Sequence, residues 1–227
     1  MNTKKLLSWL THPADVIRKR VGMASDCNYK FCKGALPVLL VAHIDTVWDS
    51  SLRPDQIRTS TLTWQSDYSV VGRGIGADDR VGCYIIEEIL TKLDCPVLYC
   101  DKEESGGIGA KEFAHDFRNE DNNWLAIIEF DRKGKNDAVF YNCENEYFYE
   151  IVVSEYYEEQ CGTFSDISII APALDIAAVN LSCGYYDQHK PNESVKLWEV
   201  EQAIRYGIRL IKKIVRFGQR FDYCGNH

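Results

Sequence analysis

No internal repeat, low-complexity tract, Pro/Gly/Ser-rich linker or C-x-x-C pair occurs in the 227 residues. Without a linker, residues 1–227 are expected to form a single domain, and that length is ample to bury a core. Without C-x-x-C the usual zinc-ribbon spacing is missing, although the chain holds nine cysteines. Their odd number and scatter suit free thiols, several of them within apolar runs, as at Cys95, Cys100 and Cys183. Such usage points to a reducing, cytoplasmic compartment. Long hydrophobic runs are missing too: Leu36 to Ala42 is too short to cross a bilayer. Lys4 and Lys5 precede only the short apolar segment Leu6 to Leu10, with no small-residue cleavage site, so no export signal is read. Nor is there a basic excess. Net charge is −8, with Lys and Arg scattered, which argues against a broad nucleic-acid footprint or an anionic membrane as partner.

What is present is an ordinary globular composition, 45% apolar and 26% charged. Pro37 to Ala42 is a continuous apolar run of strand length, suited to a central strand covered on both faces. Pro96 to Cys100 and Trp124 to Phe130 read the same way, and Tyr147 to Ser154 and Asp175 to Ser182 also read as extended. Thr61 to Trp64 and Tyr68 to Val71 form a candidate hairpin. Helices are predicted over Thr3 to Leu10, Ala14 to Met23, Asp79 to Leu93 and Ile108 to Phe117. Leu197 to Phe217 predicts an amphipathic helix, with Val200, Ala203, Ile204, Ile211, Ile214 and Val215 on its apolar side. Buried strands alternating with helices imply an α/β three-layer sandwich around a mostly parallel or mixed sheet. Ligands in such folds gather at the carboxyl ends of strands.

The chemically useful residues follow those strand ends. His43 closes the first buried run, and Asp45 stands two residues on, where it could fix the second imidazole nitrogen. Alone, H-x-D equally suits a surface turn. Asp78 and Asp79 begin a helix, where acids cap the dipole; a carboxylate there could also bridge two cations. Glu103 and Glu104 enter a glycine-rich turn after a buried strand, so that one could bind a metal and the other act as general base. Alternation places Glu129 and Asp131 on one strand face. Either could be a ligand, with Asp131 preferred because it lies nearer the strand end. His189 follows in a late polar loop.

As an ordered set these residues resemble the co-catalytic zinc exopeptidases, the group of peptidase T-like tripeptidases, aminoacylase-like enzymes and several aminopeptidases. The matching stretches are VAHIDTV, GRGIGADDRVG, CDKEESGGIGA, IEFD and GYYDQHKPNE, spanning residues 41 to 193. The resemblance implies a phosphorylase/hydrolase-like catalytic domain that holds two divalent metal ions, zinc expected, with cobalt or manganese as substitutes. His43, Asp78 and Asp131 would hold one ion. Asp78, Glu104 and His189 would hold the other. Glu103 would be the general base and Asp45 would orient His43. The resemblance further implies a cis peptide bond at Asp78–Asp79. It also implies a small peptide or acyl-amino-acid substrate, with aspartate at position 131 leaning towards an aminopeptidase. Within GTFSD, Asp166 is a candidate for holding a substrate amine, or else a helix cap. Tyr185 or Tyr186 is a candidate for stabilising an oxyanion.

Many relatives insert a lid, dimerisation domain or small barrel. The stretches from His43 to Asp78 and from Asp131 to His189 are too short for one, so a bare catalytic core is expected and the oligomeric state is left open. Three other readings compete. Gly72-x-Gly74-x-x-Ala77, with Asp94 downstream, echoes a dinucleotide-binding turn, but Asp78 and Asp79 would repel a pyrophosphate there. A non-catalytic binding protein on the peptidase fold would be expected to have lost ligands. Deacylation of a non-peptide amide uses the same bond chemistry and is not separated by these residues.

Overall fold

The computed structural model describes residues 1–10, 12–47, 63–65, 67–72 and 75–224. Thr61 and Leu62 of the candidate hairpin, and Arg73 and Gly74 of the glycine turn, lie outside the described residues.

A seven-stranded sheet forms the middle layer. Its parallel heart is β5 (Val97–Cys100), β2 (Val38–His43), β6 (Ala126–Arg132) and β9 (Ala178–Ser182), in that spatial order. β1 (Tyr29–Cys32) pairs antiparallel with β5 at one edge, while β7 (Asp137–Val139) pairs antiparallel with β9 and carries β8 (Glu158–Glu159) at the other. The apolar run of β2 is buried along its whole length. Its side chains alternate: Val38, Leu40 and Ala42 enter one core, Leu39 and Val41 the other. Both faces are therefore covered, and the architecture is a mixed-sheet α/β sandwich.

The larger core is closed by α1 (Thr3–Leu10), α2 (Ala14–Val21), α3 (Ala77–Leu90) and α7 (Leu197–Phe217). α4 (Ile108–Phe117) and α6 (Ile167–Leu174) cover the other face. α2 stops at Val21 because Gly22 takes the left-handed conformation, φ 73°. Gly82 lets α3 cross β6 closely; a Cβ there would lie 1.8 Å from the Phe130 carbonyl oxygen. That contact brings the start of α3 against the strand end that carries Asp131.

Two expectations need correction. Tyr147 to Ser154 is helical, not extended: α5 spans Glu146–Val153. Its aromatic and β-branched composition favours a strand locally. The Asn145 side chain, however, accepts from the Phe148 backbone N–H, and Phe148 and Val152 bury one helical stripe. Asn145→Ala should cost about 1 kcal/mol and lower Tm by roughly 2–4 °C, read by a thermal melt. The extended segment drawn from Asp175 begins only at Ala178, because Asp175 is the left-handed cap (φ 51°) of α6, a helix apolar on too many sides to show a stripe.

A second, four-stranded sheet has the order β10 (Tyr185–Tyr186), β11 (Ser194–Lys196), β4 (Ser69–Val71) and β3 (Thr63–Trp64), and Tyr185 reaches from it to Asp131 near the end of β6. The loop between β10 and β11 carries His189. No helix among the described residues is long and apolar enough to cross a membrane.

Candidate metal centre

His43 is the last residue of β2 and is almost fully buried. Its backbone N–H donates to Asp79 Oδ2 at 3.3 Å. Its Nδ1 lies 3.0 Å from the Asp45 carbonyl oxygen and 3.4 Å from Asp45 Oδ1. With Nδ1–H spent on Asp45, Nε2 faces the carboxylates across the sheet edge. Asp45 does a second job: its two oxygens accept the backbone N–H groups of Glu103 (3.0 Å) and Glu104 (3.2 Å). One side chain thus ties the β2 and β5 ends together.

Asp78 sits between the two histidines. Oδ1 is 3.2 Å from His43 Nε2, and Oδ2 is 3.2 Å from His189 Nε2. Asp131 Oδ1 is 3.4 Å from His43 Nε2, and Glu104 Oε1 is 2.5 Å from His189 Nε2. The Asp78–Asp79 peptide bond is cis. Potential donor atoms within each of the triads His43–Asp78–Asp131 and Asp78–Glu104–His189 all lie within 4.8 Å of one another. His43, Glu103 and Glu104 form a third such set.

Proton affinities across this cluster are shifted in both directions. Burial drives the Asp131 carboxyl up to about 7 and the Glu103 carboxyl up to about 8, and neighbouring acids add to the rise. Burial also works against a charged Asp78, but hydrogen bonds to His189 and His43 outweigh it and pull its pKa down. Hydrogen bonds to Asp78 and Glu104 raise His189 to about 10. Burial disfavours a charged His43, yet Asp131, Asp45 and Asp78 lift it well above the ordinary imidazole range. The pocket therefore demands positive charge at both imidazoles. Divalent cations on the same nitrogens meet that demand, and nitrogen with carboxylate oxygen suits zinc, cobalt or manganese. Ligands about 2.0–2.1 Å from a tetrahedral zinc stand roughly 3.3–3.4 Å apart. Three of the four separations above, 3.2, 3.2 and 3.4 Å, sit near that spacing. The donor set could hold divalent metal, and Asp78 is common to two of the triads.

Several supporting residues went unread in the sequence. Glu193 accepts the backbone N–H of Gly76 (2.9 Å) and of Asp78 (3.2 Å), holding the turn that presents Asp78. Glu193→Ala should weaken metal binding about 10–100-fold, read by competition with a chromogenic chelator. Asn180 bonds both the N–H and the carbonyl of Asp131. A lone asparagine inside the apolar run Ala177 to Leu181 was the available signal. Asp79 accepts from Gly82 as well as from His43, which is structural work beside its neighbour's chemistry.

Other sequence expectations are redistributed. Glu129, the alternative to Asp131, is fully buried and accepts from the Ser165 hydroxyl beneath the centre. Asp166 is also fully buried, beside Cys100, and does not line the cavity. Thr163 and Phe164 of the same segment line the cavity instead. Tyr186 is likewise displaced. Its hydroxyl donates to Glu199 and its ring lies under Lys196, outside the cavity. Tyr185 does line it, but directs its hydroxyl to the Asp131 carbonyl (3.1 Å) and Oδ1 (3.2 Å). Its proton steadies Asp131.

All five candidate ligands and Glu103 open onto one cavity of about 370 Å³. No protein-family model matches the sequence, and no curated protein sequence does. Solved structures share the fold. The aminopeptidase PepT from Bacillus cereus aligns over 94% of this chain and 91% of its own, at 13% identity and TM-score 0.64. A TET aminopeptidase from a Thaumarchaeota archaeon of marine sediment aligns over 95% and 99%, at 13% identity and TM-score 0.64. A tripeptidase from Staphylococcus aureus aligns over 94% and 91%, at 13% identity and TM-score 0.63. The chain has the α/β fold of these peptidases.

Proposed function

We propose that the chain is a zinc-dependent hydrolase of peptide bonds in small substrates, an aminopeptidase or di- or tripeptidase. In this reading it is a co-catalytic exopeptidase reduced to one catalytic domain over residues 1–227, working in the cytoplasm. The observation that carries the reading is Asp78, whose two oxygens face two different histidines at 3.2 Å each. His43, Asp78 and Asp131 would hold one divalent ion, and Asp78, Glu104 and His189 the other. When bound, the ions lower the pKa of a water and polarise the scissile carbonyl.

The remaining chemistry belongs to the chain. Asp45 holds His43 in the tautomer that leaves Nε2 free, and through two backbone N–H groups it sets where Glu103 and Glu104 stand. Glu103 Oε2 lies 4.0 Å from His43 Nε2, at the centre's edge. It takes the proton of the attacking water, holds it on the carboxylate and passes it to the leaving amine. The aminopeptidases and the tripeptidase that share the fold support a peptide over other amides as the substrate.

The test is a substrate screen with added zinc, cobalt or manganese, covering aminoacyl, dipeptide, tripeptide and acyl-amino-acid amides, together with elemental analysis. Two ions per chain and chelator-sensitive release of an amino acid are expected. Two ions without turnover on any of these substrates would mean a binding protein on a peptidase fold.

A further inference from the structure

Beyond the ion cluster, the cavity wall carries charge of one sign only. The acids lining it, Asp78, Glu103, Glu104 and Asp131, all belong to the cluster; the remaining charged lining residues are Arg132 and Lys133. Gly106, Tyr141, Thr163, Phe164, Tyr185 and Gln188 complete the neutral part.

Asp131, Arg132 and Lys133 line this cavity; Asp131 and Arg132 are adjacent on β6, where strict alternation would send them to opposite faces. The cause is an irregularity in β6. Glu129 faces Asn180 and Arg132 faces Ser182, so three steps on β6 match two on β9. This is a β-bulge, the device by which strands re-aim side chains near sites. The Asn180 amide satisfies the backbone N–H and carbonyl of the bulged Asp131. Arg132 Nε is held by Asp137 Oδ2 at 3.3 Å. Among the described residues, Asp137 is the one carboxylate paired with Arg132, and none is paired with Lys133. Two cations thus face the cavity in a chain of net charge −8.

We infer that Arg132 and Lys133 bind a carboxylate of the substrate, so that the site selects anionic small peptides. This rests on the peptide-hydrolase reading and adds the substrate class to it. A short peptide carries its amine and a carboxylate at opposite ends. Arg132 and Lys133 line the same cavity as the candidate metal ligands, so a peptide bound at that centre has both cations within the same enclosure. The carboxylate is either the peptide's C-terminus or an acidic side chain; both present the same two oxygens to a guanidinium fork.

Binding decides the matter separately from turnover. In the Glu103→Gln protein with zinc, calorimetry would compare Leu-Leu, Leu-Leu-amide and Leu-Glu-amide. Leu-Leu binding more tightly assigns the C-terminal carboxylate, and Leu-Glu-amide the side chain. The preferred carboxylate peptide should bind about tenfold more tightly than Leu-Leu-amide at low salt. Arg132→Ala with Lys133→Ala should reduce that ratio to within about twofold, whereas Arg132→Lys with Lys133→Arg should keep most of it. Should the double alanine protein not fold, the wild-type charges are read by salt. The ratio should fall towards one between about 0.01 M and 1 M ionic strength, as the Debye length contracts from roughly 30 to 3 Å. Equal affinity for all three peptides, no binding by any, or a ratio indifferent to salt and to both cations overturns the inference. Carboxylate-dependent binding by a chain that hydrolyses nothing would instead sink the hydrolase reading alone.

Discussion

Glu103→Gln is expected to lower kcat by roughly 10²–10⁴-fold on every peptide the chain cleaves, while metal content stays at the wild-type value. The amide keeps the size and hydrogen-bonding reach of the carboxylate but cannot accept and return a proton at neutral pH. Glu103 is 8% exposed, and its backbone is pinned by Asp45, so the substitution should leave the loop in place. Stopped assays on the best substrate, paired with elemental analysis, separate the outcomes. Full turnover would remove Glu103 from the proton path. Loss of an ion together with turnover would make Glu103 a ligand, which its place in the set with His43 and Glu104 allows geometrically.

The second large effect is expected at Asp78. Asp78→Ala takes away one oxygen from each of the two triads, so both ions should be lost, with turnover falling below detection. His189→Ala removes a donor from one triad only and should spare the ion held by His43 and Asp131 more than Asp78→Ala does. Thermal melts give a second readout. Zinc at 100 times its Kd stabilises the native state by about 2.7 kcal/mol, which for a domain of this size raises Tm by roughly 5–11 °C. Asp78→Ala should abolish that rise. A variant that still binds two ions and melts higher with zinc would show that Asp78 bridges nothing.

Much of the candidate site was legible because its residues follow elements with strong local signatures. His43 comes directly after a short, wholly apolar run and Glu103–Glu104 three residues beyond another, and in a chain this size such runs read as buried strands. Asp78 and Asp79 stand at the start of a helix whose apolar residues recur at helical spacing. The hinge between Glu129 and Asp131 was not legible. Alternation treats the two alike, and the bulge that separates them exists only in the pairing of β6 with β9. The same bulge turns Arg132 and Lys133 into the cavity. The α5 segment misled for a related reason: Tyr147 to Val153 favours a strand residue by residue, and burial of Phe148 and Val152 along one stripe outweighs that preference.

The order of apolar runs, helices and donor residues along the chain by itself determined the α/β class and singled out the histidines and acids that the fold gathers at one cavity. Local hydrophobic period and residue chemistry are properties of short segments and survive being read in one dimension. Tertiary structure alone decided which Asp78 oxygen meets which histidine, that Asp166 and Tyr186 do not line the cavity, and that Glu193 and Asn180 hold the backbone of Asp78 and Asp131. Those are contacts between residues far apart in sequence. They depend on the angles at which strands and helices pack, and no local pattern of residue types encodes them.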